Sequence, residues 1–336
     1  MSEQTPTGPQ AQDVATPAAT PGAVLTSRKI PLRDRLPIVS HLRRSVGLQR
    51  TMLVIGLVIM VVFLLTAIFA PWIAPYSFAQ QAVDGVKFGT QQPPNSVNLL
   101  GTTVSGFDVF SRVIWGAQTA LLVIICAIAF SIFLGIFLGL VSGYFGGWLD
   151  RVLVVVCDAI YALPSLLLAI VMSIVISRGQ STLWGGILAT ALSITVVFVP
   201  QYFRVIRAEV VRVKAEPFVE SARVIGVPTG RILIRHVLRN STRSLPVVIT
   251  LNASEALLTL AGLGFLGFGI EATVAAEWGY DLNRAVADVT SGIWWTAIPP
   301  GIAIVLVVLG ITLMGESIND LSDPRLRTRR RAKGVS

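Results

Sequence analysis

Charge is scarce in this chain. Asp, Glu, Lys and Arg make up 13% of the 336 residues, against about 25% in soluble domains. With 53% hydrophobic residues and a mean hydropathy of +0.72, the shortage excludes an ordinary water-soluble domain and fits a chain built for lipid. Histidine is scarcer still: only His41 and His236 occur, both in basic stretches, and H-E-x-x-H is absent. The two cysteines, Cys126 and Cys157, lie in apolar runs without metal-ligand spacing, so they read as small buried hydrophobes. There is no G-x-x-x-x-G-K-[ST] phosphate loop and no G-x-S-x-G elbow. No nucleophile–base pair lies at membrane depth. These absences argue against an enzyme and against a metal site.

What is present is apolar length. A bilayer span needs about 20 mainly apolar residues, and six stretches qualify: 52–73, 113–141, 152–176, 182–203, 246–270 and 293–314. The sequence therefore predicts an all-α polytopic membrane protein with six transmembrane helices. Cations set its orientation. Seven precede the first stretch, nine lie within 204–243 and six lie in the tail from Arg325 to Lys333, whereas the loop after the fifth stretch carries Glu271, Glu277, Asp281 and Asp288 against Arg284. Lys/Arg bias marks the cytoplasmic side, so both termini and the 204–243 loop are expected there. The net charge of +9 then reads as topology and contact with anionic membrane lipids, not as nucleic-acid binding.

The expected organisation follows. Residues 1–45 form a basic cytoplasmic segment, disordered over 2–26 where Pro, Ala, Thr and Gln dominate and no signal-peptide arrangement appears. The first transmembrane helix occupies 46–76, and an extracytoplasmic loop with an interfacial helix occupies 77–112. A five-helix core runs over 113–318 with a cytoplasmic loop at 212–240, and a basic tail fills 319–336.

Several residues stand out within this plan. Gly135, Gly139, Gly143 and Gly147 recur every four residues, which places them on one helix face that another helix can approach closely. Asp158, Arg204, Arg207 and Glu255 put charge where lipid penalises it. Asp158 and the Arg204/Arg207 pair fall at similar depth, so a salt bridge between the third and fourth spans is expected. Glu255 has no sequence partner and reads as a pathway or gate residue, or as a structural hydrogen-bond acceptor for neighbouring backbone or a partner subunit. Pro164 is expected to kink the third span by blocking the bond to the Ile160 carbonyl. The glycines of Ala261-Gly262-Leu263-Gly264-Phe265-Leu266-Gly267-Phe268-Gly269 suggest a break or re-entrant bend. Trp278, Trp294 and Trp295 fit an interfacial belt. On the outer side, Phe107, Phe110, Ile114 and Trp115 recur at helical spacing, with Asp108 and Arg112 four apart and able to pair. That pair reads equally as a surface contact or as part of a gate helix.

One stretch is unlike the rest: Glu216-Pro217-Phe218-Val219-Glu220-Ser221-Ala222-Arg223-Val224-Ile225-Gly226-Val227-Pro228, followed by Arg231-Ile232-Leu233-Ile234-Arg235-His236-Val237-Leu238. It is a short, basic, amphipathic helix–turn–helix pattern set into an apolar chain, suited to serve as a handle for another protein.

These strings resemble the second permease subunit of the peptide/nickel family of ABC importers. The loop is similar to that family's EAA motif: Glu220-Ser221-Ala222, three residues, then Gly226. Similar strings are 101–112 with Gly116-Ala117, then Gly143-Tyr144-Phe145-Gly146-Gly147-Trp148-Leu149-Asp150, and the tail 315–320 ending Asp323-Pro324-Arg325-Leu326. The likeness covers about residues 50–328. Ser221 departs from the motif's first alanine, and Arg239 stands where the family often has proline before Asn240. The resemblance implies a type I ABC importer permease fold in the bacterial inner membrane. Phe218, Glu220, Ser221, Ala222, Gly226 and Arg231 would form the ATPase-coupling loop, with Ala222 allowing close approach and Gly226 the turn. Implied partners are a homologous permease subunit, two ATP-binding subunits and an extracytoplasmic solute-binding protein. ATP and Mg would be bound by those partners, leaving no cofactor in this chain. The implied cargo is di- or oligopeptides, with nickel complexes or other small solutes as alternatives. A stand-alone channel or secondary transporter would predict an inverted internal repeat, and none is seen.

Overall fold

A computed structural model describes residues 48–177 and 182–322. The expectations for residues 1–45 and for the basic tail lie outside the described residues. Helix α1 (Leu48–Ile68) is an almost unbroken run of Leu, Ile, Val and Met; at 1.5 Å per residue it is about 31 Å long, the thickness of a hydrocarbon core. A single turn, α2 (Ala70–Ile73), ends it at Pro71. The chain then makes a small antiparallel hairpin, β1 (Ala82–Val83) and β2 (Val86–Lys87). Asp84 and Gly85, both at positive φ, supply the left-handed pair that a two-residue hairpin turn demands.

The long helices follow: α3 (Val109–Phe145), α4 (Gly147–Tyr161), α5 (Ser165–Ser177) and α6 (Leu183–Lys214). The loop elements are α7 (Pro217–Val224), α8 (Thr229–Arg231), a π-helical segment (Ile232–Leu238) and α9 (Arg239–Ser241). After them come α10 (Leu245–Phe265), α11 (Trp278–Thr290) and α12 (Ile298–Ser322). Among the described residues, α1, α3, α6, α10 and α12 are each long and apolar enough to cross a membrane. The sixth candidate is the pair α4 and α5, bent by 100°. Pro164 thus does more than kink this span. Ala162, Leu163 and Pro164 leave the helix altogether, because the proline ring removes one bond and pushes the preceding residue out of the α region.

Helix α6 is the most enclosed of the spans and α1 the least; Val54, Val58, Val61 and Leu65 of α1 are exposed, as a lipid-facing row should be. The main seam is α3 against α6. A side chain at Gly135 would collide with Tyr202 Cβ; one at Gly139 would meet Phe203 O at 2.9 Å, and one at Gly143 would meet Val210 at 2.9 Å. The fourth glycine of the row is different. Gly147 has φ +70 with open space around it and begins α4, so the packing face has three members. A second close crossing joins α1 to α12 at Gly56 and Gly310.

Three expectations for the loops before α3 and after α10 change. The apolar spacing around Phe107 belongs to no separate interfacial helix; α3 itself starts at Val109 and runs for 37 residues. Trp278 is no belt residue: it is 2% exposed, edge-on to Phe63 at 6.0 Å, and its Nε1 donates to Val113 O at 3.1 Å. Trp294 stays at the surface. The glycine run after the fifth span is a helix stop. Phe268 N donates to Leu263 O and Gly267 N to Gly264 O, the paired bonds of a Schellman end, with Gly267 at φ +84.

Candidate functional site

The basic loop is built around α7. Pro217 opens it at the first helical position and Glu216 caps it with extended backbone; Glu220 in the first turn and Arg223 in the last complement the helix dipole. Val219 and Ala222 are buried and share one apolar cluster with Ile232 and Val237 of the π-helical segment. Phe218, Glu220, Val224 and Ile225 face outward, the last two 82% and 78% exposed. The helix ends in a second Schellman pair: Val227 N donates to Ala222 O and Gly226 N to Arg223 O, both at 3.0 Å. Gly226 sits at φ +79, where a Cβ is strained. Arg231 is exposed, Ser221 Oγ donates to Pro217 O, and the Glu220 carboxylate has no bonding partner among the described residues. Ala222 is a correction: its small side chain fits the chain's own core, so the outward face belongs to Phe218, Val224 and Ile225.

The loop is tied to the spans. Lys214 Nζ donates to Gly143 O at 2.7 Å, placing a cation at the C-terminal end of α3, where the helix dipole favours it. Arg207 grips Asp150 through Nε at 2.6 Å and Nη2 at 2.7 Å. Ser142 Oγ joins the same carboxylate. Arg207 therefore does not share Asp158 as expected. Asp158 pairs with Arg204 alone at 2.7 Å, and Arg204 also lies 4.2 Å over the Tyr161 ring. Both partners of that pair are about half exposed, so its stabilisation is small.

At the opposite, acidic end the pairing is buried. Arg112 is 1% exposed. Its Nε donates to Asp281 Oδ1 at 2.7 Å and Oδ2 at 2.9 Å, and its Nη1 to Phe78 O at 3.0 Å. Nη2 lies 2.7 Å from Oδ1 without a hydrogen bond aimed at it, so that contact is ionic only. The expected Asp108–Arg112 pair does not form. Asp108 lies outside the helix and caps it, accepting from Ser111 N at 2.7 Å and from Asn98 Nδ2 at 2.9 Å. Asp281 and Glu277, read in the sequence only as loop charge, are central here. Glu277 caps α11, accepting from Gly279 N at 2.8 Å and Tyr280 N at 2.7 Å, and presses on Gly264 of α10. Burial pushes its carboxyl up to about 8, against the two backbone N–H bonds that favour ionisation. Burial also raises Asp281, against the Arg112 charge. The single Arg112 guanidinium opposes both upward shifts.

Glu255 lies near the middle of α10 and lines a cavity of about 270 Å³ with Tyr161, Leu163, Ser165, Val197 and Gln201. The broken α4–α5 connection forms one wall. The Glu255 carboxylate accepts no hydrogen bond among the described residues.

The described residues form a polytopic membrane fold with a protruding basic helical loop. Residues 131–328 match the family model of the binding-protein-dependent transport system inner membrane component, and residues 48–94 match the N-terminal TM domain of oligopeptide transport permease C. The chain belongs to the first of these families. It is 34% identical to the dipeptide transport system permease protein of Alkalihalophilus pseudofirmus, over 82% of this chain and 86% of that one. It is 34% identical to the di/tripeptide transport system permease protein of Pseudomonas aeruginosa, over 93% and 97%. It is 36% identical to the glutathione transport system permease protein of Shigella flexneri, over 80% and 84%. The chain is thus a multi-pass inner-membrane permease subunit of an ABC importer and a component of a larger transport complex; it is not itself the ATPase.

Proposed function

We propose that this permease forms half of a translocation pathway for di- or oligopeptides, glutathione-like tripeptides included, and takes its drive from ATP-binding subunits docked on α7. The observation that carries this is the exposed face of Phe218, Glu220, Val224 and Ile225 on a helix whose other side is locked into the core. Lys214 and Arg207 connect the base of that helix to α3 and α4, so a push on it reaches the spans. The named cargoes of the three relatives, all short peptides, support the substrate class. The second permease would be a homologue of this one, two ATP-binding subunits would face the basic end, and a solute-binding protein would meet the acidic end. The cation bias supports a cytoplasmic position for the termini and α7.

The test is ATP-dependent uptake of labelled dipeptides and glutathione by the reconstituted complex. Glu220→Lys and Gly226→Val are expected to abolish uptake while membrane insertion stays normal. Normal uptake by either variant removes the coupling role, and uptake of nickel complexes in place of peptides removes the cargo.

A further inference from the structure

An unpaired carboxylate in the middle of a span demands a counter-charge, a hydrogen-bond donor or water. Glu255 has no donor among the described residues, and the cation beside that wall, Arg204, is already held by Asp158 at 2.7 Å and by the Tyr161 ring. Gln201 and Ser165 line the same cavity, and neither side chain makes a hydrogen bond among the described residues. The remaining lining, Leu163 and Val197 with neighbouring apolar groups, can meet aliphatic or aromatic side chains. The volume is informative. At about 30 Å³ per liquid water the cavity's roughly 270 Å³ holds several waters, and it lies just under the usual range of small-ligand pockets. That is room for one or two residues of a peptide and too little for an oligopeptide. Helix broken at membrane depth is tolerated where it lines such a space.

We infer that this cavity seats the amino-terminal end of the transported peptide, with Glu255 accepting hydrogen bonds from its ammonium group and Gln201 and Ser165 meeting the first peptide unit. The inference rests on the peptide-import reading and adds to it the end of the cargo that is held and the residue that holds it. Longer cargo extends out of the cavity along the pathway, so one seat serves peptides of several lengths.

The experiment uses the complete importer in proteoliposomes. A dipeptide with a photoreactive side chain on its first residue is expected to label this chain within 160–168, within 197–201 or at 255. In the Glu255→Gln importer, the peptide moved per ATP hydrolysed is expected to fall roughly tenfold or more, the scale of losing one charge-assisted hydrogen bond. Assembly and stimulated ATP hydrolysis are expected to stay intact. Labelling outside the cavity in the unmodified complex overturns the inference, as does an unchanged peptide-to-ATP ratio in the variant. If Glu255 instead pairs with a neighbouring subunit, the variant loses assembly and ATP hydrolysis together, and the inference is equally wrong. An unmodified importer that carries no peptide defeats the proposed function first, and that failure shows in the control.

Discussion

Burying a guanidinium costs several kcal/mol unless a carboxylate and further hydrogen bonds offset it, and Arg112 has both. Removing either partner strands the other. Asp281→Ala is expected to destabilise the purified protein by about 3–5 kcal/mol, read as a lowered melting temperature, and Arg112→Met with Asp281→Leu should recover much of that loss. Glu277 brings a pH dependence. Its carboxyl is raised from 4.5 to about 8 in the folded protein. The folded state therefore binds the proton more tightly, and its stabilisation is complete below about pH 4.5 and lost as pH rises through 8. The melting temperature should fall between pH 5 and pH 9, and Glu277→Gln should flatten that slope. This seam was poorly legible in the sequence. The four-residue spacing of Asp108 and Arg112 suggested a pair, but spacing holds only within a helix, and Asp108 precedes it as the cap. The true partner lies 169 positions away, beyond any local pattern.

Among the elements, apolar length was legible because it is a local property. Each of the six stretches became a helix or, for the third, a helix pair. The 100° bend at Pro164 was legible only as a kink, since the proline dictates that the ladder breaks and the neighbours dictate the angle. Helix α11 was missed because a short amphipathic helix between two spans carries no long apolar run. The Asp84-Gly85 pair is a local hairpin signal that the sequence carries in plain view. Glycine rows told more: three of four mark the α3–α6 seam, and the fourth turns the chain. Gly135→Ala, which drives a methyl into Tyr202, is expected to cost about 1–3 kcal/mol. Gly230→Ala, in open space and at ordinary φ, should be neutral or stabilising by up to about 1 kcal/mol. Thermal melting of the two variants should move in opposite directions or differ by that margin.

For the whole molecule, sidedness was read from the distribution of Lys and Arg, and it gives a direct test. With Cys126 and Cys157 replaced by alanine, a membrane-impermeant maleimide on intact cells should label Ser96→Cys, at an exposed position of the outer loop, and spare Ser221→Cys. The reverse pattern would invert the topology. The family was legible because several motifs occur in the right order along most of the chain, and the match over 131–328 rests on that same stretch. The cavity at Glu255 was legible only as an unpartnered charge. Its walls come from α4, α5, α6 and α10, which only the folded chain brings together.

Helix α6 carries a mechanical consequence. Its 32 residues span about 48 Å, so a rotation of about 5° about the midpoint shifts each end by about 2 Å in opposite directions. The basic end of the helix adjoins α7 through Ala215 and Glu216, and its opposite end stands beside Ile270 and Val274 of the loop that follows α10. A displacement of α7 by a bond length or two is thereby returned at the far end as a shift of similar size and opposite sense, and Pro200, already lacking its backbone N–H bond, is the place where the helix can bend instead.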